Sequence, residues 1–320
     1  MTKRTLLLTH DVDAAILSEI KHIIPEWEVT ASRDPEVWGG MMNDAEIIAG
    51  WNKRLRESVI SADSKVRWIQ TWSAGVNNLP LTELQQKEVV VTSANGVHAY
   101  PISETIFGLM LALTRKIDTY VKNQQQKKWH HANMKLEIHG KTIGIIGVGA
   151  IGSETAKIAK AFGMTVLGIR HSGRAAEYVD EMSTPDQLNE VLRRCDYVVV
   201  TLPLTEETKH MFKAEQFEQM KDSAFFINIG RGPIVDEADL ISALKTGQIA
   251  GAGLDVFEVE PLPENSPLWN IEQVIITPHT SGSTEFYDQR LLQDIFIPNL
   301  KKYIEGEQPA INLLDYSKGY

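Results

Sequence analysis

Short apolar runs separated by amphipathic stretches dominate the first third of the chain. Residues 5–9, 27–31, 46–50, 66–71 and 89–93 are mostly apolar and bounded by polar or turn residues, as expected of strands buried on both faces. Helical spacing fills the intervals. Strand and helix alternating in this way predict a parallel sheet covered on both sides. A second series begins at Thr142–Ile146 and continues through Thr165–Ile169, 197–201, 224–229, 252–256 and 274–277, which makes six further strands. Between the series, Ile102, Ile106, Leu109, Met110, Leu113 and Ile117 recur at helical spacing. Phe107 and Leu111 widen that apolar face so far that the helix is expected to be buried between two domains. The stretch 286–303 is again amphipathic and is expected to cross back to the first domain.

A length of 320 residues fits two domains. Hydrophobic content of 43% and charged content of 23% are ordinary for globular proteins and argue against disorder, fibres or repeats. The net charge of -10 repels phosphate backbones, and no basic run carries interleaved aromatics, so nucleic acid is not an expected partner. No apolar stretch reaches the roughly 20 residues of a membrane span. Met1 to Arg4 lack the basic-then-apolar layout of a signal peptide, so the expectation is a cytoplasmic protein with no membrane partner. The single cysteine, Cys195, excludes an intramolecular disulfide and any multi-cysteine metal site; it reads as a small buried hydrophobe, and no metal is expected. Residues 116–140 are polar and hold Trp129, His130 and His131. They read either as a surface excursion or as the arm of a homodimer, because a tryptophan is costly to leave exposed.

Gly147, Gly149 and Gly152 form G-x-G-x-x-G directly after the strand Thr142–Ile146 and directly before a helical pattern over 153–162. The first glycine permits a tight turn, the second lets backbone approach a pyrophosphate, and the third lets helix and strand pack closely. The helix start then offers free N–H groups and partial positive charge, and Ala150 and Ile151, inside the glycine loop, are expected cofactor contacts with the glycines. A bare glycine motif is weak. Its setting inside a strand, turn, helix, strand unit makes a dinucleotide the expected ligand.

Three later segments carry the candidate chemistry: N-I-G-R-G-P-I-V-D at 228–236, L-D-V-F-E-V-E-P at 254–261 and T-P-H-T-S-G at 277–282. Each puts a polar residue just after a strand, where an open parallel sheet borders its ligand crevice. Singly, Arg231 could cap a loop, Glu260 could be solvated and His279 could be a satisfied core histidine. Together they supply a carboxylate anchor, a proton donor and a group that tunes it.

With these segments, and with G-V-G-A-I-G at 147–152 and T-L-P-L-T at 201–205, the chain resembles the D-isomer-specific 2-hydroxyacid dehydrogenase family over nearly its full length. The resemblance implies an α/β fold of two domains. A flavodoxin-like substrate domain of 1–98 plus 283–320 would clamp over a Rossmann-type, doubly wound parallel-sheet cofactor domain of 99–282. It also implies roles. Arg231 would hold the substrate carboxylate and carbonyl, His279 would be the acid/base and Glu260 its partner, and the backbone N–H groups of Ala74, Gly75 and Val76 would grip the carboxylate. Asp255 would contact the nicotinamide amide, Leu202, Pro203 and Ile229 would line the cofactor cleft, and Thr105, placed at the start of the long helix, would reach a phosphate. The reaction implied is hydride transfer between NAD(P)(H) and C2 of a small D-2-hydroxy or 2-keto acid, with glyoxylate, hydroxypyruvate or a branched 2-keto acid as substrate. An adjacent Glu260 carboxylate would favour the imidazolium form of His279.

Three rivals stay open. Formate dehydrogenase shares the layout but pairs its histidine with glutamine. A non-enzymatic, NAD(H)-sensing corepressor of this fold carries a long tail that this chain lacks. A 3-phosphoglycerate dehydrogenase would want basic residues in the first domain, where Lys53, Arg54 and Arg56 read better as a solvated face. Trp51, Trp72, His98 and Tyr100 are candidates for the distal pocket, with a core role equally open to each tryptophan.

Cofactor choice rests on the end of the second strand, where an NAD-binding fold carries Asp or Glu for the adenosine ribose. Here Arg170 stands there, followed by His171, Ser172 and Arg174. Donors and positive charge suit a 2'-phosphate, so NADP(H) is the expected cofactor and NAD(H) the second choice.

Overall fold

The computed structural model describes residues 3–76, 78–131 and 135–316. The chain divides into two compact units, Met1–Val97 with Thr284–Tyr320, and His98–Ser283. In the first unit β1 (Thr5–Leu8), β2 (Glu28–Ala31), β3 (Ile47–Ala49), β4 (Trp68–Gln70) and β5 (Val90–Thr92) form a sheet in the order β2-β1-β3-β4-β5. Every pairing in it is parallel. Alternation along β1 explains why these runs are apolar throughout. Leu7 packs with Ile48, Ile69 and Val91 on one face, while Leu6 and Leu8 pack with Ile47 and Trp68 on the other.

That second face is covered by the helix Ala14–Ile23 and by the helical run formed from Tyr287–Arg290, a π-helical section Leu291–Phe296, and Ile297–Ile304. The amphipathic stretch 286–303 is this run. Beyond it the chain lies beside β5: the N–H of Leu314 donates to Val91 O at 2.8 Å and the Tyr316 hydroxyl to Val89 O at 2.6 Å. An edge that would otherwise be unpaired is thereby covered.

In the second unit β6 (Thr142–Ile146), β7 (Thr165–Ile169), β8 (Glu181–Ser183), β9 (Tyr197–Val200), β10 (Phe225–Asn228), β11 (Gly251–Leu254) and β12 (Val274–Ile276) form a sheet in the order β12-β11-β10-β9-β6-β7-β8, again parallel throughout. β8 is not among the strands expected from the sequence. It is a short edge strand with one neighbour and no fully buried residue, so it leaves no apolar run to read. The helix Ala99–Thr114, expected between domains, packs its Ile102, Ile106, Leu109 and Leu113 onto this sheet. The approach is close because β11 carries Gly253, where a Cβ would lie 2.9 Å from Leu109 Cβ.

Cys195 is fully buried beside Gly144, and its thiol donates to Val191 O at 3.0 Å. Burial pushes that thiol up to about 12, which makes it a packing group and not a nucleophile. Among the described residues no helix is long and apolar enough to cross a membrane, and no group of His, Cys, Asp and Glu is placed to hold a metal ion.

Both sheets contain a point where chain progression reverses, between β1 and β3 in the first and between β6 and β9 in the second. Crevices for ligands form beyond the carboxyl ends of strands at such points.

Candidate active site

In the second unit the reversal point carries the glycine loop. Gly147 has φ +113° and sits against the exit of β9: a Cβ there would lie 3.0 Å from Leu202 N and from Thr201 Oγ1. Thr201 holds the turn by donating to Gly147 O at 2.6 Å. A Cβ on Gly152 would lie 2.5 Å from Gly147 O, so the helix Ala150–Ala161 packs on the strand as the spacing predicts. Gly149 has no heavy atom within 4 Å of the place its Cβ would take, and the helix begins there without a side-chain cap. The first-turn N–H groups of Ala150, Ile151 and Gly152 therefore have no acceptor within the helix. An open glycine in front of three free N–H groups fits a pyrophosphate.

At the end of β7 the N–H of Arg170 donates to Ser183 O at 3.0 Å, and the N–H of Gly173 donates back to Arg170 O at 2.9 Å. This turn presents His171 and Ser172 to solvent. Among the described residues no carboxylate forms an ion pair with Arg170 or Arg174, whereas the nearby Arg194 is paired to Glu181. Leu202 lies against the glycine loop and Pro203 is exposed after it. Ile229 is only 4% exposed and packs in the core. The placement of Thr105 at the helix start needs a correction: the long helix starts at Ala99, so Thr105 lies in its second turn.

Arg231 is held by the two glycines beside it. A Cβ on Gly230 would lie 2.7 Å from Leu202 O, and one on Gly232 would overlap the Phe257 carbonyl. Buried Asn228 completes the turn, accepting from Gly230 N at 3.1 Å and donating to Arg231 O at 3.2 Å. The arginine is thus fixed between the exit of β9 and the loop after β11, with its side chain exposed and Nη1 donating to Gly230 O at 2.6 Å.

The loop after β11 carries Asp255 and Glu260. Asp255 has no exposed surface; its carboxylate accepts from Thr277 Oγ1 at 2.6 Å, Thr280 N at 2.9 Å and Ser281 N at 3.1 Å. It orders the segment that carries His279, whose own N–H donates to Asp255 O at 2.9 Å. His279 has φ +52°, a left-handed conformation that a non-glycine residue keeps only where its surroundings impose it. Its Nδ1 meets Glu260 Oε2 at 2.7 Å, and Glu260 Oε1 accepts from Phe257 N at 3.0 Å. Burial raises the Glu260 carboxyl, but the hydrogen bonds from His279 and the Phe257 N–H outweigh it and hold the group below the usual carboxylate range. With Nδ1 engaged by a carboxylate, Nε2 is the ring nitrogen left for proton transfer.

In the first unit the loop after β4 exposes Ala74 and Gly75 and buries Val76. Ser73 Oγ donates to Gly75 O at 2.7 Å, and among the described residues the N–H groups of Ala74, Gly75 and Val76 have no acceptor. Trp51 donates to Asn78 O at 3.2 Å, and Trp72 stacks on His10 at 4.1 Å and donates to Asp288 at 2.7 Å, so both are partly structural. In the second unit His98 Nδ1 bonds Gly282 O at 2.9 Å and Tyr100 is exposed. Arg54 and Arg56 are paired with Glu36 and Glu83 at 3.5 and 2.6 Å on an exposed face. Trp129 of the segment 116–140 is 97% exposed; residues 132–134 of that segment lie outside the described residues.

Sequence reasoning missed His210, whose Nε2 meets Glu258 Oε1 at 3.0 Å. Nothing in the sequence around a single histidine in a polar loop signals that contact.

A sequence model of the D-isomer specific 2-hydroxyacid dehydrogenase family, NAD binding domain, matches residues 107–281. A D-3-phosphoglycerate dehydrogenase of Methanocaldococcus jannaschii is 33% identical over 302 residues, covering 93% of this chain and 56% of that protein, so the chain spans about half the length of this relative. A glyoxylate/hydroxypyruvate reductase B of Salmonella schwarzengrund is 34% identical over 284 residues, 87% of this chain and 85% of the relative. Among solved structures, a D-isomer specific 2-hydroxyacid dehydrogenase from Xanthobacter autotrophicus Py2, in complex with NADPH and MES, has 29% identity and a TM-score of 0.78, covering all of both chains.

Proposed function

Because the chain belongs to the D-isomer specific 2-hydroxyacid dehydrogenase family, we propose that it is an NAD(P)-dependent oxidoreductase that reduces glyoxylate, hydroxypyruvate or a related small 2-keto acid. The observation that carries this reading is the 2.7 Å contact between His279 and Glu260, on a loop packed against the one that bears Arg231. When bound, the reduced nicotinamide supplies a hydride to C2 of the keto acid. Arg231 fixes the substrate carboxylate and polarises the carbonyl as negative charge grows on its oxygen. His279 delivers the proton to that oxygen from Nε2, giving the 2-hydroxy acid. Glu260 stabilises the imidazolium before transfer. The N–H groups of Ala74, Gly75 and Val76, which have no acceptor among the described residues, are assigned to the carboxylate on the strength of the family resemblance.

The test is a panel of keto acids with NADPH and NADH, run on the wild type and on His279→Ala. The variant is expected to lose about two orders of magnitude in kcat/KM while still binding cofactor. A variant that keeps most of its activity would assign the proton to another group. The name of the Methanocaldococcus relative favours a second reading, oxidation of 3-phosphoglycerate, which the same panel tests with 3-phosphohydroxypyruvate. The pairing of Arg54 and Arg56 to carboxylates weighs against it.

NADPH is the proposed cofactor, supported by the unpaired Arg170 in its turn with Ser172. Arg170→Asp is expected to reverse the order of kcat/KM for NADPH and NADH, and a wild type that prefers NADH would overturn the assignment. A homodimer through the segment 116–140 is also proposed, supported by the exposure of Trp129; sedimentation of Trp129→Ser against the wild type tests it.

A further inference from the structure

Three loops leave the carboxyl ends of β9, β10 and β11 in the second unit, over 201–212, 229–236 and 255–261. His210 lies near the end of the first, with φ +49°. As with His279, a non-glycine residue in that conformation is held there by its contacts. Its backbone N–H donates to Pro233 O at 2.8 Å, two residues past Arg231. Its imidazole Nε2 meets Glu258 Oε1 at 3.0 Å, two residues before Glu260. The peptide at Glu258 is held from the other side as well, because its N–H donates to Glu237 Oε2 at 3.2 Å. Just beyond His210, the N–H of Phe212 donates to Ile234 O at 3.1 Å, within the second loop, so among the described residues the imidazole is the hydrogen-bonding contact by which this segment reaches the third.

Glu258 and Glu237 bring two carboxylates together. Burial raises the Glu237 carboxyl; the Glu258 N–H works against this, and the Glu258 charge adds to it. A carboxylate in that position favours turning toward water unless a donor holds it, and the His210 ring supplies the donor. Removing the ring would release Glu258 and, with it, the peptide whose neighbour Phe257 donates to Glu260.

We infer that His210 is a positioning residue for the reaction: it ties the loop bearing Arg231 to the loop bearing Glu260, so that the substrate anchor and the partner of the acid keep a fixed relation. The inference rests on the reading of Arg231, Glu260 and His279 as the catalytic set.

Two measurements test it on the full-length protein. In hydrogen exchange, His210→Ala should speed exchange of the 255–261 amides about tenfold, and His210→Gln, whose amide NH2 keeps a donor for Glu258, should return it to within about twofold of the wild type. In glyoxylate reduction with NADPH, His210→Ala should lower kcat about tenfold with little change in KM for NADPH, His210→Gln should recover most of it, and the same His210→Ala change in a Glu260→Gln background should cost less than about twofold. Unchanged exchange in His210→Ala overturns the tie whatever the activity. Faster exchange with an equal loss of kcat in both backgrounds overturns its action through Glu260. A wild type that reduces no keto acid overturns the functional reading, and the exchange result still decides the tie.

Discussion

At the reversal point of the first sheet, the space beyond the strand ends is filled. Gly50 after β3 has φ +102°, and the room its missing side chain leaves is taken by Thr9 and by His10, whose ring stacks on Trp72 with planes 6° apart. Burial, with the Arg33 charge adding to it, lowers the His10 pKa and so favours the neutral ring that such stacking suits. The helix that follows β1 starts at Asp13, whose carboxylate accepts from Ala15 N at 2.9 Å and Ile16 N at 3.5 Å. At the reversal point of the second sheet the same position carries Gly149, open space and no cap. The two sheets share strand direction, crossover style and a crevice dictated by topology, yet only one helix start is free to receive an anion. Topology provides the place; the residue at the cap decides whether phosphate can use it.

The comparison is broken most directly by making the second helix start like the first. Gly149→Asp places a carboxylate before the free N–H groups, at a φ of -100° that any residue tolerates. NADPH affinity, measured by fluorescence titration, is expected to fall by about two orders of magnitude, as a like charge a few ångströms from phosphate implies. The fold should be retained, since the site has room for the side chain. Unchanged affinity would mean that the pyrophosphate does not sit there.

A smaller effect is expected from Glu260→Gln, which keeps the shape of the second crevice and removes its negative charge. Because the folded Glu260 carboxyl lies below its ordinary range, the wild-type pair with His279 persists as pH falls through mild acid and is lost only below that lowered value. The amide cannot favour the imidazolium, so the rate of reduction should begin to fall at lower pH as pH rises. At the alkaline end the variant should be about fivefold slower, a limit set by the partial exposure of both side chains. An unmoved descending limb would uncouple the two residues.

Least of all is expected from Asp13→Ala, the reverse change in the first sheet. Losing that cap should lower stability by about 1 kcal/mol, read from urea unfolding, without altering NADPH affinity. An effect on cofactor binding would contradict the division of labour between the two helix starts.

Much of this was legible in the chain because burial on both faces turns a strand into an uninterrupted apolar run, as at Thr5–Leu8 and Tyr197–Val200. The glycine spacing was equally legible, since each glycine answers a specific steric demand. β8 escaped because an edge strand needs no apolar run, and the helix start before Thr105 was misplaced because no capping residue marks it: His98 precedes the helix without a side-chain cap bond. The inward turn of Asp255 was hidden for another reason. A carboxylate after a strand can face ligand or loop, and only the three donors of 277–281 decide which. His210 acquires its carboxylate partner by loop closure over 48 residues, a relation no local pattern encodes.

The burial of Cys195 also makes the chain its own instrument. With one thiol in the sequence and that thiol sealed under Gly144, a maleimide dye can react only when the second unit opens, so labelling rates clock that event alone. The tryptophans give a complementary colour: Trp38 and Trp68, nearly inaccessible, lie in the first unit, while Trp129 and Trp269 of the second already face water at 97% and 52% exposure. A shift in emission therefore reports the first unit, and dye uptake the second. Run together on the unmodified protein, the two signals would reveal whether the halves melt as one body or in sequence.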